Sequence, residues 1–448
     1  MPKSKPAFNS TDLDIRGFKT HISRIESSLA VFENKKYPQA ITALQKIFKK
    51  IINITNAELN YSLEKFNQIQ KKKIHLEEYD YKLFSGAIKV ATKRILRFYN
   101  YYWGSVEFAL HSVPWYFNIM LVKLLSTVLG KQKGEFFLVV FPMSGYTLEV
   151  VSVKDELKQQ FDIGFDQLQD QINNIDNFFI FKIPPYLVLD PMSNFLVLHE
   201  IGHYFAKGRI KQKLIRETIK KIKHDIYEDF VKPLGSKEDW VISNSEWINN
   251  WMSEFISDCF SLAVCGPACL AAAKEFFILN TDLPSDVHPP PTLRKIILSC
   301  CLNCWVDKMK QPENYQRDIK KYFGNFITLE DHKYEKLFAD LFKAIKEEAQ
   351  SINLFYFNLI LENIKKGFIQ LGEEKLPIDI LKNKDKWLFD YVLTLNCIWS
   401  VYFQKDKEQD LRGWRDKYNE ILLKILEIEQ FRDNWNLHKD LKDEDTCQ

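Results

Sequence analysis

Long hydrophobic runs are missing from this chain of 448 residues. The stretch 117–130 is too short to cross a bilayer. The stretch 260–279 is broken by Gly266-Pro267 and carries Lys274 and Glu275, so no transmembrane helix is expected. The opening residues, MPKSKPAFNSTDLD, lack the apolar segment that a secretory signal needs. Glycine is scarce, at 15 residues, and no Gly-rich phosphate loop occurs. The eight cysteines show no framework. Cys259, Cys265 and Cys269 are scattered along apolar helical segments. Cys300, Cys301 and Cys304 share another, without a Cys or His pair at zinc-finger spacing to complete a site. Reduced thiols in a cytoplasmic protein are the expectation. Net charge is only +3, and no RNA-binding motif or regular array of stacking aromatics occurs, so nucleic acid is not an expected partner. Sequence repeats are absent too.

What remains is mostly helical patterning. Residues 10–130 place apolar side chains at three- and four-residue steps. Ile41, Leu44, Ile47, Phe48 and Ile51 are an example, with lysines on the opposite face. Two β-rich runs, 136–141 and 147–153, flank Pro142-Met143-Ser144-Gly145 and read as a hairpin. A helix is expected over 154–173 and a further strand over 178–183. The fold class is therefore mainly α with a small β-sheet (α+β). Three divisions are expected: an N-terminal helical region over 1–132, a core over 133–308, and a C-terminal helical region over 309–448.

The core carries the chemistry. Residues 199–203 read His-Glu-Ile-Gly-His inside an apolar segment, 191–207, in which Phe195, Leu196, Leu198, Ile201 and Phe205 form a broad buried surface. On a helix His199 and His203 are at i and i+4, so both imidazoles leave one face and can hold one Zn²⁺. Glu200 is rotated about 100° from His199, within reach of the reacting water without being a ligand. Two histidines and a glutamate are costly to bury without a metal or dense hydrogen bonding. A second helix, expected over 245–264, carries Glu254 as third ligand, with Trp247, Ile248, Trp251 and Phe255 as its apolar contacts. Asp258 lies one turn further on the same face, where its carboxylate can accept the second N–H of a ligand histidine. A third histidine six residues after His203 would mark a different zinc class, and that position holds Arg209.

His199-Glu200-x-x-His203 followed by Glu254-x-x-x-Asp258 resembles the gluzincin zinc metallopeptidases, whose third ligand is a helical glutamate. His288-Pro289-Pro290-Pro291-Thr292-Leu293-Arg294 is similar to the His-Pro…Arg element of M48-type peptidases. The resemblance covers about residues 180–300, and the chain lacks the transmembrane helices of membrane-bound M48 enzymes. It implies a zincin-like core flanked by helical regions, one Zn²⁺ per chain, and hydrolysis of peptide bonds with Glu200 as general base. It also implies His288 as partner of the tetrahedral oxyanion, with Arg294 next. Tyr204, beside His203, is a weaker candidate.

The expected substrate is a protein or peptide, held extended along an exposed sheet edge. The alternative is a non-catalytic, metal-stabilised interaction or regulatory protein. Glu200 speaks against that, because a purely structural site has no use for an unliganded base. Lys207, Arg209, Lys211, Lys213, Arg216, Lys220, Lys221 and Lys223 follow the motif with only Glu217 among them. They read as a solvated helix face, or as a dock for an acidic partner.

Overall fold

The computed structural model describes residues 17–20, 22–24, 39–71, 85–100, 115–130, 137–142, 149–160, 178–184, 187, 190–193, 195–234, 246–278, 285–309, 312–323, 332–372, 387–404, 413 and 415–423. The architecture is mainly α with one small sheet. By internal contacts the chain forms two compact units, Met1–Asn118 with Lys133–Pro185, and Ile119–Gln132 with Tyr186–Gln448. Among the described residues no helix is long and apolar enough to cross a membrane.

In the first unit, α1 (Gln39–Lys71) buries Phe48, Ile51, Ile52 and Leu59, and α2 (85–100) buries Ile88, Ala91, Ile95 and Phe98. Both sets follow helical spacing, so each helix hides one stripe. Arg94 Nη1 donates to Glu58 Oε2 at 2.6 Å and ties the two helices together. Next come α3 (Trp115–Leu129), which begins in this unit and ends in the other, then β1 (Phe137–Pro142), β2 (Glu149–Ser152), α4 (Val153–Gln160) and β3 (Phe178–Ile183). The helix expected over 154–173 is seen to Gln160, and its remainder lies outside the described residues.

The expected hairpin is not formed. Strand order is β1-β3-β2, with β1 parallel and β2 antiparallel to β3. The physical reason is legible in β3. Phe179, Ile180, Phe181 and Ile183 are all buried, without the alternation of a strand that has one wet face. Such a strand needs cover on both faces and takes the central place. Lys182 stands opposite Glu149 in the register, and its Nζ meets Glu149 Oε2 at 3.0 Å. A one-residue slip would lose that pair and turn the apolar residues over.

The second unit is helical. After a 3₁₀ turn, Pro191–Ser193, come α5 (Phe195–Gly208), α6 (Gln212–Ile226), α7 (Trp247–Cys265), α8 (Ala268–Ile278), α9 (Pro291–Val306), α10 (Pro312–Phe323), α11 (His332–Ser351), α12 (Phe357–Gly372) and α13 (Trp387–Gln404). Gly266 ends α7 with a positive φ of 71°, a conformation glycine adopts without strain. Asn396 of α13 then accepts from the Ala268 N–H at 2.8 Å and so caps α8.

The start of α5 is clasped from far along the chain. Asp190 accepts from Ser193 Oγ at 2.7 Å, Arg415 Nη2 at 2.7 Å and Asn419 Nδ2 at 3.0 Å. Trp399 Nε1 donates to the Met192 carbonyl at 3.1 Å. At its other end Arg209 donates to the carbonyls of Val128 and Thr127 at the end of α3. Both ends of the histidine helix are thereby held.

α5 and α7 pack along each other, and Gly202 sets how closely. A Cβ at position 202 would lie 2.7 Å from Ser257 Cα, a backbone atom that cannot rotate away. Gly202→Ala is therefore expected to force the helices apart and cost about 1–3 kcal/mol, as overpacking does. Chemical denaturation would measure it, and an unchanged midpoint would show that the helices separate freely.

Candidate metal centre

On α5 the rings of His199 and His203 lie 4.9 Å apart at 84°, on one face as the i, i+4 spacing demands. Across from them, α7 supplies Glu254. Its Oε2 is 3.2 Å from His199 Nε2 and its Oε1 is 3.3 Å from His203 Nε2. Atoms bound tetrahedrally at about 2.0–2.1 Å from one ion stand about 3.3 Å from each other. Glu254 Oε2 is buried and makes no hydrogen bond, although His199 Nε2, His288 Nδ1 and Arg294 Nη1 lie within 3.2–3.5 Å. These groups face Glu254 Oε2 from α5, from α9 and from the loop before it. Two imidazole nitrogens and a carboxylate fit a divalent metal such as zinc.

A second acid is nearby. The ligand atoms of His199, Glu200 and His203 lie within 4.8 Å of one another, a cluster that could hold a metal ion. Glu254 is placed differently from Glu200. Each of its oxygens faces a histidine nitrogen, and it is almost fully buried, whereas Glu200 is half-buried.

The outer ring nitrogens are also held. His199 Nδ1 lies 2.8 Å from Asp258 Oδ1, and His203 Nδ1 lies 3.0 Å from Ser253 Oγ. With Nδ1–H donated outward, each Nε2 lone pair points inward. Arg294, in the first turn of α9, grips Asp258 with both arms, Nε to Oδ2 at 2.8 Å and Nη2 to Oδ1 at 2.6 Å. Nη2 also comes within 3.3 Å of His199 Nδ1. Both are donors, so Asp258 between them is the partner of each. The guanidinium is buried, and its remaining Nη1 lies 3.5 Å from Glu254 Oε2.

His288 stands on the open side, its side chain 63% exposed. Its loop is pinned to α7, with Trp251 Nε1 donating to the Ser285 carbonyl at 2.8 Å and Asn250 Nδ2 to the Asp286 carbonyl at 3.0 Å. Ser285 Oγ accepts from the His288 N–H at 2.9 Å. Tyr204 is half-buried, beneath Lys207.

The charges of the cluster favour a cation. Burial alone pushes the His199 imidazolium down, yet the carboxylates of Glu254 and Asp258 outweigh it and raise its pKa to about 10. Burial, the charge of His199 and that of Arg294 hold His203 below its ordinary value. Burial would raise the acids, but His199 and His203 hold Glu254 well below the usual carboxylate range, and Arg294 and His199 lower Asp258. In the metal-free protein a proton on His199 thus does part of a cation's work. Its stabilising effect is fully present below about pH 6.5, the unfolded value, and is lost as pH rises through about 10. Metal uptake at pH 7–8 is expected to displace that proton. About one proton is expected to be released per ion, with affinity rising by up to roughly tenfold per pH unit. Calorimetry in buffers of different ionisation enthalpy would count it; binding without proton release would contradict this charge arrangement.

The structure brings together His199, Glu200, His203, Glu254, Asp258, His288 and Arg294. Sequence reasoning missed Ser253, Gly202 and the pin Asn250, and gave Trp251 only as an apolar contact. Gly202 left one signal, since a glycine inside a helix costs about 1 kcal/mol relative to alanine and marks a close approach. No protein-family model, curated protein or solved structure matches the chain.

Proposed function

We propose that this chain is a zinc-dependent metallopeptidase of the gluzincin type, similar to soluble M48 enzymes, with Glu200 as general base. The observation that supports this most is the convergence of His199 Nε2, His203 Nε2 and both Glu254 oxygens, each histidine held from behind, with Glu200 beside them. When bound, zinc would supply Lewis acidity toward a scissile carbonyl and toward water. Glu200 takes a proton from the attacking water and delivers it to the leaving amine nitrogen. His288, on the open side, donates from Nε2 to the developing oxyanion. Arg294 is a positioning residue that holds Asp258 and, through it, His199. Seven described cysteines are free and buried, which supports a reducing compartment, and we place the protein in the cytoplasm.

The test is metal dependence. Purified protein is expected to cleave peptides in a mixed library read by mass spectrometry, to stop after chelation, and to resume on adding zinc. A chain that takes up zinc and cleaves no peptide would instead be a metal-stabilised interaction or regulatory protein.

A further inference from the structure

The cluster is closed at one end and open at the other. Side chains of His199, Glu254, Asp258 and Arg294 are 3–10% exposed, against 22% for His203 and 63% for His288. The open end is the side of His203 and His288. The next residue on that stripe of α5 is Lys207, at i+4 from His203 and i+8 from His199, about 6 Å further along the helix axis. Lys207 is exposed. Its Nζ lies 5.8 Å from the centre of the Tyr204 ring, which holds the ammonium by its π-face. It has no acidic partner among the described residues. The neighbouring surface is open, since a Cβ on Gly208 would meet nothing within 4 Å. Arg209 is turned away, bound to the carbonyls of α3.

On the metallopeptidase reading above, we propose that Lys207 is a specificity-determining residue that selects substrates carrying a carboxylate close to the scissile bond. Lys207 is one turn, about 6 Å, beyond His203 along α5, and an extended peptide advances about 3.3 Å per residue, so the residue that carries this ammonium is within reach of a group a few residues from the bond cleaved. An acidic side chain and the C-terminal carboxylate of a short peptide offer the same chemistry. Neutral peptides bind through the metal face alone, and basic ones are repelled.

The test uses ten-residue peptides of neutral sequence with Glu, Gln or Lys at one scanned position, each with a free or an amidated C-terminus. Binding to the zinc-loaded Glu200→Gln protein is read by fluorescence anisotropy, and cleavage by the wild-type protein is followed in parallel. Glu peptides are expected to bind about fivefold more tightly than Gln peptides, the upper size of one exposed ion pair, and the gain should shrink with added salt. Adding Lys207→Glu should reverse the order in favour of Lys peptides. Lys213→Glu makes the same charge change on α6 and should leave the order as it was. A preference that survives amidation identifies an internal acidic residue as the ligand, and one that vanishes identifies the terminus. Equal binding of Glu, Gln and carboxylate-terminated peptides, or an unchanged order after Lys207→Glu, would overturn the proposal and leave Lys207 as a cation that merely complements the end of its helix. Lys207-dependent binding without Glu200-dependent cleavage would keep this selectivity and remove the peptidase reading.

Discussion

Glu254→Ala protein is expected to be purified with little or no metal, where about one ion per chain is expected of the wild type. Glu254 faces both Nε2 atoms, so its loss takes away a ligand from the centre of the cluster. It also takes away a negative charge. Glu254 and Asp258 are what raise His199 against burial; with Glu254 gone that pKa should fall, and less charge remains to attract a dication. Asp258 cannot compensate, because both its oxygens are engaged by Arg294 and His199. The loss of affinity should go well beyond the ~10–100-fold that follows removal of a group that only orients a ligand. Competition against a coloured chelator measures it. If Glu254→Ala holds its metal as firmly as the wild type, Glu200 is the third ligand and the assignment of the two glutamates must be exchanged.

The histidine pair and the Glu254–Asp258 pair were legible because each is a local matter. Helical spacing alone puts i and i+4 on one face, and the apolar stripes mark both helices to within a few residues of α5 and α7. Neither string states that the two helices meet. That depends on Gly202 against Ser257, a contact between residues 55 positions apart with no sequence signature of its own. Ser253 was invisible for a related reason. A serine in a helix usually bonds back to its own backbone, as Ser257 and Ser261 do here, and only the fold turns Ser253 toward His203. The same holds for Asp190 with Arg415 and Asn419, where the C-terminal part of the chain, read as plain amphipathic helix, fastens the start of α5. Strand order failed differently. Two adjacent β-rich runs around a turn sequence favour a hairpin locally, but the fully apolar β3 competes for the central position and takes it.

Glu200→Gln is expected to lower peptide turnover by about 10²–10⁴-fold, the range that general-base catalysis supplies. The substitution keeps the shape and a hydrogen-bonding oxygen, but an amide does not take up a proton at neutral pH. Metal content should stay near one ion per chain, because His199, His203 and Glu254 are untouched and their outward partners Asp258 and Ser253 remain in place. Thermal stability should also change little, because Glu200 is half-buried and belongs to neither the apolar stripe of α5 nor the Gly202 contact. The combination is what decides. A variant that lost metal and activity together would show Glu200 to be a ligand, in line with its position in the 4.8 Å cluster. One that kept both would show that the proton is moved by another group, and His288, the exposed imidazole beside Glu254, would be the next to replace. Metal retained with turnover lost is the result that makes Glu200 the base, because only a group outside the ligand set can be removed from the chemistry without being missed by the ion.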